Sequence, residues 1–273
     1  MRLARFSAAL ALLLSPTLLA AQDRESDAEW LERCRENGYS SNEYRARACE
    51  VRNVPVRLSG RSISVDGDRN GGVRVFGWDG DSVRVTARMQ AEGRSDADAR
   101  DRLARVRIVA DGRGVRAEGP SMDGDYAGWS VSYYVFVPRR FDLDLEAHNG
   151  GLSVSGVSGK LDLRTHNGGV MLSAVGGDVH AQTQNGGLNV QLTGTRWDGT
   201  GLDAETRNGS VRVTVPEQYA AQLETGTVNG SIRTDIPVTL SGRISRNLSI
   251  PLGGGGRTIR AMTTNGSVTI SRR

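Results

Sequence analysis

The chain has 273 residues, with 35 Lys and Arg against 31 Asp and Glu, a formal charge of +4. Arg2 and Arg5 fall in a leader-like segment; without them the charge is +2 and dispersed, which excludes the concentrated basic surface of a nucleic-acid binder. Gly supplies 35 residues and aromatics only 5%, so the core must be built from Val, Leu and Ile between frequent turns, favouring β structure over a helix bundle.

Residues 1–21 carry the two arginines, an apolar run from Ala8 to Leu14, a Ser15-Pro16 break, and Ala20-Ala21 before polar Gln22. This is the pattern of a secretory signal peptide, and its apolar part is too short to cross about 30 Å of hydrocarbon. The rest of the chain is therefore expected outside the cytoplasm, in the periplasm or beyond, with no membrane span after cleavage. Residues 22–52 read as an N-terminal cap segment holding both cysteines, Cys34 and Cys49. In an oxidising compartment these are expected to form a disulfide, and closing a loop of that size is worth about 3 kcal/mol. Cys-x-x-Cys spacing, which a redox pair would favour, is absent. Ser26-Asp-Ala-Glu29 is a capping-box pattern, so a short helix is predicted from Ser26 to about Glu36, ended by Gly38.

Residues 53–273 read as one β-repeat domain. Val56 to Val85 and Val106 to Val137 contain strands, and Ser95 to Arg105 reads as a helix that covers an end or edge of the sheet. Asp66-Gly-Asp68-Arg-Asn70-Gly71 imitates the start of a calcium loop, but Gly77 stands where a bidentate Glu is needed, so it is read as a turn. Asn-Gly followed by Gly or Ser and a branched aliphatic recurs at Asn70, Asn149, Asn167, Asn185, Asn208, Asn229 and Asn265. The gaps after Asn149 are 18, 18, 23, 21 and 36 residues, the last being two 18-residue periods with one Asn-Gly missing. Such a period marks a stack. Each Asn-Gly supplies two residues comfortable at positive φ, and apolar residues alternate on both sides of it with the strand period of two.

The predicted fold is all-β: a flattened parallel β-solenoid or β-roll of two-strand rungs, about 18–23 residues each, stacked about 4.8 Å apart. Asn-Gly also suits a meander of hairpins, but the recurrence of whole two-strand units favours the stack. The Asn residues are expected to form an amide ladder along the turns. The N-terminal segment and the helix would cap one end, and Arg272-Arg273 would place charge at the other.

Several of these features resemble a known group: Gly77-Trp78-Asp79, the helix beginning near Ser95, Trp129-Ser-Val-Ser-Tyr133, Val137-Pro-Arg-Arg140, the serial Asn-Gly-Gly turns and Arg196-Trp-Asp-Gly199. Over roughly 51–273 the chain is similar to the bacterial putative-adhesin family of β-strand-repeat envelope proteins, a domain of unknown function. The resemblance implies an extracytoplasmic repeat protein of adhesion or envelope stress, with no established catalytic residues. The chain departs from the pattern in the later repeats, where Ser replaces the second Gly, and at His148 and His166 before their turns.

If inward and outward positions alternate, one outward column runs Asp144, Asp162, His180, Asp203, Gln222 and its neighbour runs Glu146, Arg164, Gln182, Glu205, Glu224. Stacking would set Asp162 beside His180 and Glu146 beside Arg164. Asp144, Asp162, Arg164, His180, Asp203 and Glu205 form the candidate interaction face. The column lacks a nucleophile, base and orienter set, so no catalytic residue is assigned. No cofactor and no metal site is assigned either: His148 and His166 could stack about 5 Å apart, but Gln184 stands where a third His would align. Asn208, Asn229, Asn247 and Asn265 match a glycosylation acceptor pattern that turn chemistry explains at three of them. The expected function is a non-enzymatic adhesion or interaction module of the cell envelope. Its partner would be an envelope protein or surface glycan, with self-association possible through end rungs. The alternatives are a carbohydrate-active lyase or hydrolase on a β-helix scaffold and a self-assembling structural or envelope-stress protein.

Overall fold

A computed structural model describes residues 25–36, 46–112, 114–121, 128–236 and 247–273. The leader pattern of 1–21 and Gly38 lie outside the described residues. Two ten-stranded sheets share one continuous aliphatic core. The first sheet runs Ala46–Val54, Arg84–Gly93, Trp129–Pro138, Val73–Trp78, Leu152–Ser155, Val170–Ser173, Leu188–Gln191, Val211–Val215, Val268–Arg272 and Ile232–Thr234. The second runs Asn247–Leu252, Ala221–Asn229, Thr258–Asn265, Gly199–Asn208, Gly176–Asn185, Ser158–Thr165, Asp142–Ala147, Ser62–Asp66, Gly114–Glu118 and Arg107–Asp111.

Each rung is a second-sheet strand, an Asn-Gly turn and a first-sheet strand, and successive rungs pair in parallel. Predicted inward residues such as Leu143, Leu161, Val179, Leu202, Leu152, Val170 and Val211 are buried, while Val175, expected inward as well, is half-buried. The period-two pattern therefore sets both the strands and the core, because a one-residue slip would turn each aliphatic column to water.

The rungs do not stack in chain order. Thr258–Asn265 inserts between Gly199–Asn208 and Ala221–Asn229, and Val268–Arg272 between Val211–Val215 and Ile232–Thr234. The 36-residue gap thus does not hold a silent rung. Its strand Asn247–Leu252 instead folds back antiparallel on Ala221–Asn229 as an edge. Arg272 lies on an interior strand, which corrects the expectation that Arg272-Arg273 mark the far end. The other end mirrors this: the Asn70 rung, Ser62–Asp66 with Val73–Trp78, is held between the 142–155 rung and a pair of strands, Gly114–Glu118 and Trp129–Pro138. Beyond it the parallel stack gives way to antiparallel pairing among Ala46–Val54, Arg84–Gly93 and Trp129–Pro138.

Both predicted helices form. Helix α1, Asp27–Glu36, opens with the capping box: the Ser26 N–H donates to Glu29 Oε2 at 2.7 Å and the Glu29 N–H to Ser26 Oγ at 3.2 Å. The Cys34–Cys49 disulfide, with Cα atoms 6.3 Å apart, ties it to the first strand. Helix α2, Asp96–Ala104, is N-capped by Ser95 and buries Ala99 and Leu103 against the antiparallel strands, closing that end of the core.

Candidate functional site

The turns stack as predicted and are joined by a seven-residue amide ladder. Asn149 Nδ2 donates to Asn70 Oδ1 at 3.0 Å, and the chain continues through Asn167, Asn185, Asn208, Asn265 and Asn229 at 2.7–2.8 Å per step. A second ladder lies beneath it, and the sequence reading missed it. Thr165, Thr183 and Thr206, each two residues before a turn Asn, donate Oγ1 at 2.7 Å to the carbonyls of Gly150, Gly168 and Gly186 in the preceding turn. Thr263 and Thr227 repeat this at 2.8 Å with Gly209 and Gly266. The recurring Thr-x-Asn-Gly was the available signal. The buried threonines satisfy turn carbonyls that would otherwise be orphaned.

The reason for glycine in these turns also differs from the expectation of positive φ. Gly150, Gly168, Gly186 and Gly209 do not adopt it. A Cβ on them would lie 1.8–2.1 Å from the carbonyl oxygen of the preceding turn. Close stacking requires the first glycine. At the second, Gly151, Gly169 and Gly187, the nearest atom would be 3.2–3.3 Å away, which is why Ser210, Ser231 and Ser267 are accommodated at that position.

The second sheet's outer face carries the predicted column. Asp144, Asp162, His180 and Asp203 are in register on adjacent strands. The next two members are Arg260, from the inserted rung, and Glu224, not Gln222: with the turn asparagines in register Glu224 stands opposite Arg260 and Gln222 opposite Thr258. The neighbouring column holds Glu146, Arg164, Gln182 and Glu205, followed by Met262 and Gly226, so Glu224 moves out of it. The ion pairs are also redistributed. Arg164 pairs with Asp162 on its own strand and lies 3.6 Å from Asp144, with no ion pair to Glu146. His180 Nε2 is 3.4 Å from Asp178 Oδ1 on its own strand, although Asp162 is its register neighbour. Arg260 joins Asp203 at 2.5 Å and also Glu205. Burial works against the Arg260 cation, but hydrogen bonds to both carboxylates hold its pKa above the ordinary value.

At the turn edge of this face, the His148 and His166 rings stack 4.8 Å apart with an interplanar angle of 5°. No group of three or more His, Cys, Asp and Glu suited to a metal occurs among the described residues. Asp66-Gly-Asp68 leads from the strand into a turn closed by the Gly71 N–H donating to the Gly67 carbonyl at 2.9 Å: Asp68 sits at φ 51° and its N–H donates to Asp66 Oδ1 at 2.7 Å. Burial, and next the charge of Asp66, raise the Asp68 pKa. Tyr133 is fully buried, its hydroxyl has no partner among the described residues, and burial followed by the charges of Asp66 and Asp68 raises its pKa.

The first sheet's outer face differs in character. At its N-terminal end Arg88, 3% exposed, donates to Asp27 Oδ1, Glu25 Oε2, the Glu25 carbonyl and Tyr134 Oη at 2.8–3.0 Å, clamping helix α1 onto the sheet. Arg84 lies 3.7 Å over Trp78, and Phe76 packs on Phe136. Farther along, its outward residues are Ser153, Met171, Asn189, Arg212 and Thr269 in one register row.

The family model described as Toastrack DUF4097 matches residues 123–271. No curated protein matches the chain. Among solved structures, a putative cell adhesion protein from Clostridium sporogenes is similar at 9% identity over 83% of this chain and 100% of that one, with a TM-score of 0.45. A putative adhesin from Bacteroides fragilis is similar at 12% identity over 83% and 97% of the two chains, TM-score 0.38. One from Parabacteroides distasonis is similar at 11% identity over the same shares, TM-score 0.36.

Proposed function

This chain belongs to the Toastrack DUF4097 family, and we propose that it is an exported, non-enzymatic interaction module of the cell envelope that binds an envelope component or surface glycan through its outer sheet faces. The observation that carries this reading is the state of the charged face. Arg164 and Arg260 each bridge two carboxylates, which ties Asp144, Asp162, Asp203 and Glu205 to cations at the surface. A glycan-cleaving site needs one carboxyl held as an acid and another free as a base or nucleophile. Paired, solvated carboxylates on a flat sheet suit recognition instead. The Cys34–Cys49 disulfide and the leader pattern of 1–21 support an extracytoplasmic location. Self-assembly by strand addition is disfavoured at the edge strand Asn247–Leu252, where Pro251 lacks a backbone donor.

The test is binding of the protein to an array of envelope polymers and glycans, with mass spectrometry of every ligand after contact. Binding with intact ligand supports the module; shortened ligand overturns it. In that second case the triple variant Asp162→Ala, His180→Ala, Asp203→Ala shows whether this column performs the cleavage.

A further inference from the structure

The outer faces of the two sheets are electrically unlike. On the second sheet Asp142, Glu146, Asp178 and Glu224 add to the paired carboxylates already described, and together these outnumber Lys160, Arg164, Arg207 and Arg260 on the same strands. On the first sheet, from Val73–Trp78 to Ile232–Thr234, the outward positions include no Asp or Glu. The acid beyond the last strand, Asp235, accepts from the Arg272 N–H at 3.0 Å.

One straight row crosses this carboxylate-free face. It begins at Arg74, passes Ser153, Met171 and Asn189 to Arg212, and continues through Thr269 to Arg233. Arg74, Arg212 and Arg233 are exposed, and none makes an ion pair with a described residue. At about 4.8 Å per strand, Arg74 and Arg212 stand about 19 Å apart and Arg212 and Arg233 about 10 Å. The intervening side chains, Ser153, Met171, Asn189 and Thr269, are uncharged. Asn189 is half-buried, with its Oδ1 turned away from solvent and without a hydrogen-bond partner among the described residues.

We propose that this row binds an acidic polysaccharide, which deepens the interaction reading above by naming the face and the ligand class. Three guanidinium groups with no carboxylate partner among the described residues, Arg74 also lying 5.5 Å over the Tyr134 ring, stand along about 29 Å and fit carboxylates spaced on an extended polymer. The hydroxyls of Ser153 and Thr269 between them fit the sugar hydroxyls. A membrane surface would call for a broad apolar belt, whereas Met171 is the single large apolar side chain exposed in the row. The surplus of carboxylates on the opposite face repels the same polymer, so binding is one-sided.

The experiment measures binding of the full chain to polygalacturonate, to neutral dextran and to phosphatidylglycerol vesicles. It is repeated with the triple variant Arg74→Gln, Arg212→Gln, Arg233→Gln and with Lys160→Gln on the other face. All four residues are exposed, and matching thermal unfolding curves establish that the variants are folded. Polygalacturonate is expected to bind, to weaken with added salt, to lose roughly tenfold or more in the triple variant, and to be unaffected by Lys160→Gln. Dextran and vesicles are expected to bind far more weakly. Absence of polygalacturonate binding, equal dextran binding, preference for vesicles, or an unchanged triple variant overturns the proposal. If another envelope polymer binds intact and the triple variant binds it equally well, this proposal fails while the interaction reading stands. If the ligand is cleaved, the interaction reading itself fails.

Discussion

The Asn265 side-chain amide donates to Asn208 Oδ1 at 2.7 Å, joining residues 57 positions apart, while Asn229 donates to Asn265 at 2.8 Å. The last rung of the chain is thereby locked into the ladder from both sides, and Asn229 forms the ladder's end. Asn265→Ala removes two ladder bonds and Asn229→Ala one. With a net value near 0.5–1.5 kcal/mol per hydrogen bond, Asn265→Ala is expected to cost about twice as much as Asn229→Ala in urea unfolding.

The two glycines of one turn carry different demands. A Cβ at Gly186 would meet the Gly168 carbonyl oxygen at 2.1 Å, whereas at Gly187 it would lie 3.3 Å from Ser210 O. Gly186→Ala is expected to destabilise by about 3 kcal/mol or more through forced backbone displacement. Gly187→Ala should cost less than about 1 kcal/mol. Denaturant midpoints of the two variants provide the comparison.

Ala174 holds φ 52° at the opposite turn, where the equivalent position one rung earlier is Gly156 at φ 71°. A Cβ in that region costs roughly 1–2 kcal/mol. Ala174→Gly relieves it but loosens the unfolded chain, so a net gain of about 0.5–1 kcal/mol is expected in thermal unfolding.

Asp68 supplies a pH dependence. Burial, and next Asp66, raise its folded-state pKa above the ordinary 3.8, so the folded state holds this proton more tightly than the unfolded one. The resulting penalty is full above the folded pKa, shrinks as pH falls through it, and is absent below the unfolded value. Asn tolerates the positive φ here as well as Asp does. Asp68→Asn should therefore raise the melting temperature at neutral pH and have little effect at about pH 3. An equal gain at both would place the effect in the backbone.

The rungs, the asparagine ladder, the disulfide and both helices were legible because each rests on local pattern: period-two burial, Asn-Gly spacing, compartment logic and capping residues. Rung order was not. Hydrophobic alternation fixes which face of a strand is buried but not which neighbour it pairs with, so the 258–272 rung could not be distinguished from a terminal one. Gln222 and Glu224 left their expected columns for a separate reason: Glu224, like Asp203, stands five residues before its turn Asn, whereas Gln222 stands seven before. Arg164 and His180 each reach a carboxylate on their own strand, Asp162 and Asp178, because residues two apart share a face, a competitor that column arithmetic ignores. The Thr-x-Asn-Gly column was present in the sequence and overlooked, while the clamp of Arg88 on Asp27 and Glu25 joins segments more than 60 residues apart and leaves no local pattern.

The row from Arg74 to Arg233 is continuous only if Thr269 lies between Arg212 and Arg233, which makes the insertion of Val268–Arg272 the central structural claim. Amide hydrogen exchange tests it directly. The account predicts that Val268–Arg272 exchanges as slowly as Val211–Val215 and more slowly than the edge strand Ile232–Thr234. Rapid exchange of Val268–Arg272, like that of a frayed terminus, would contradict the inserted rung and the binding row built across it.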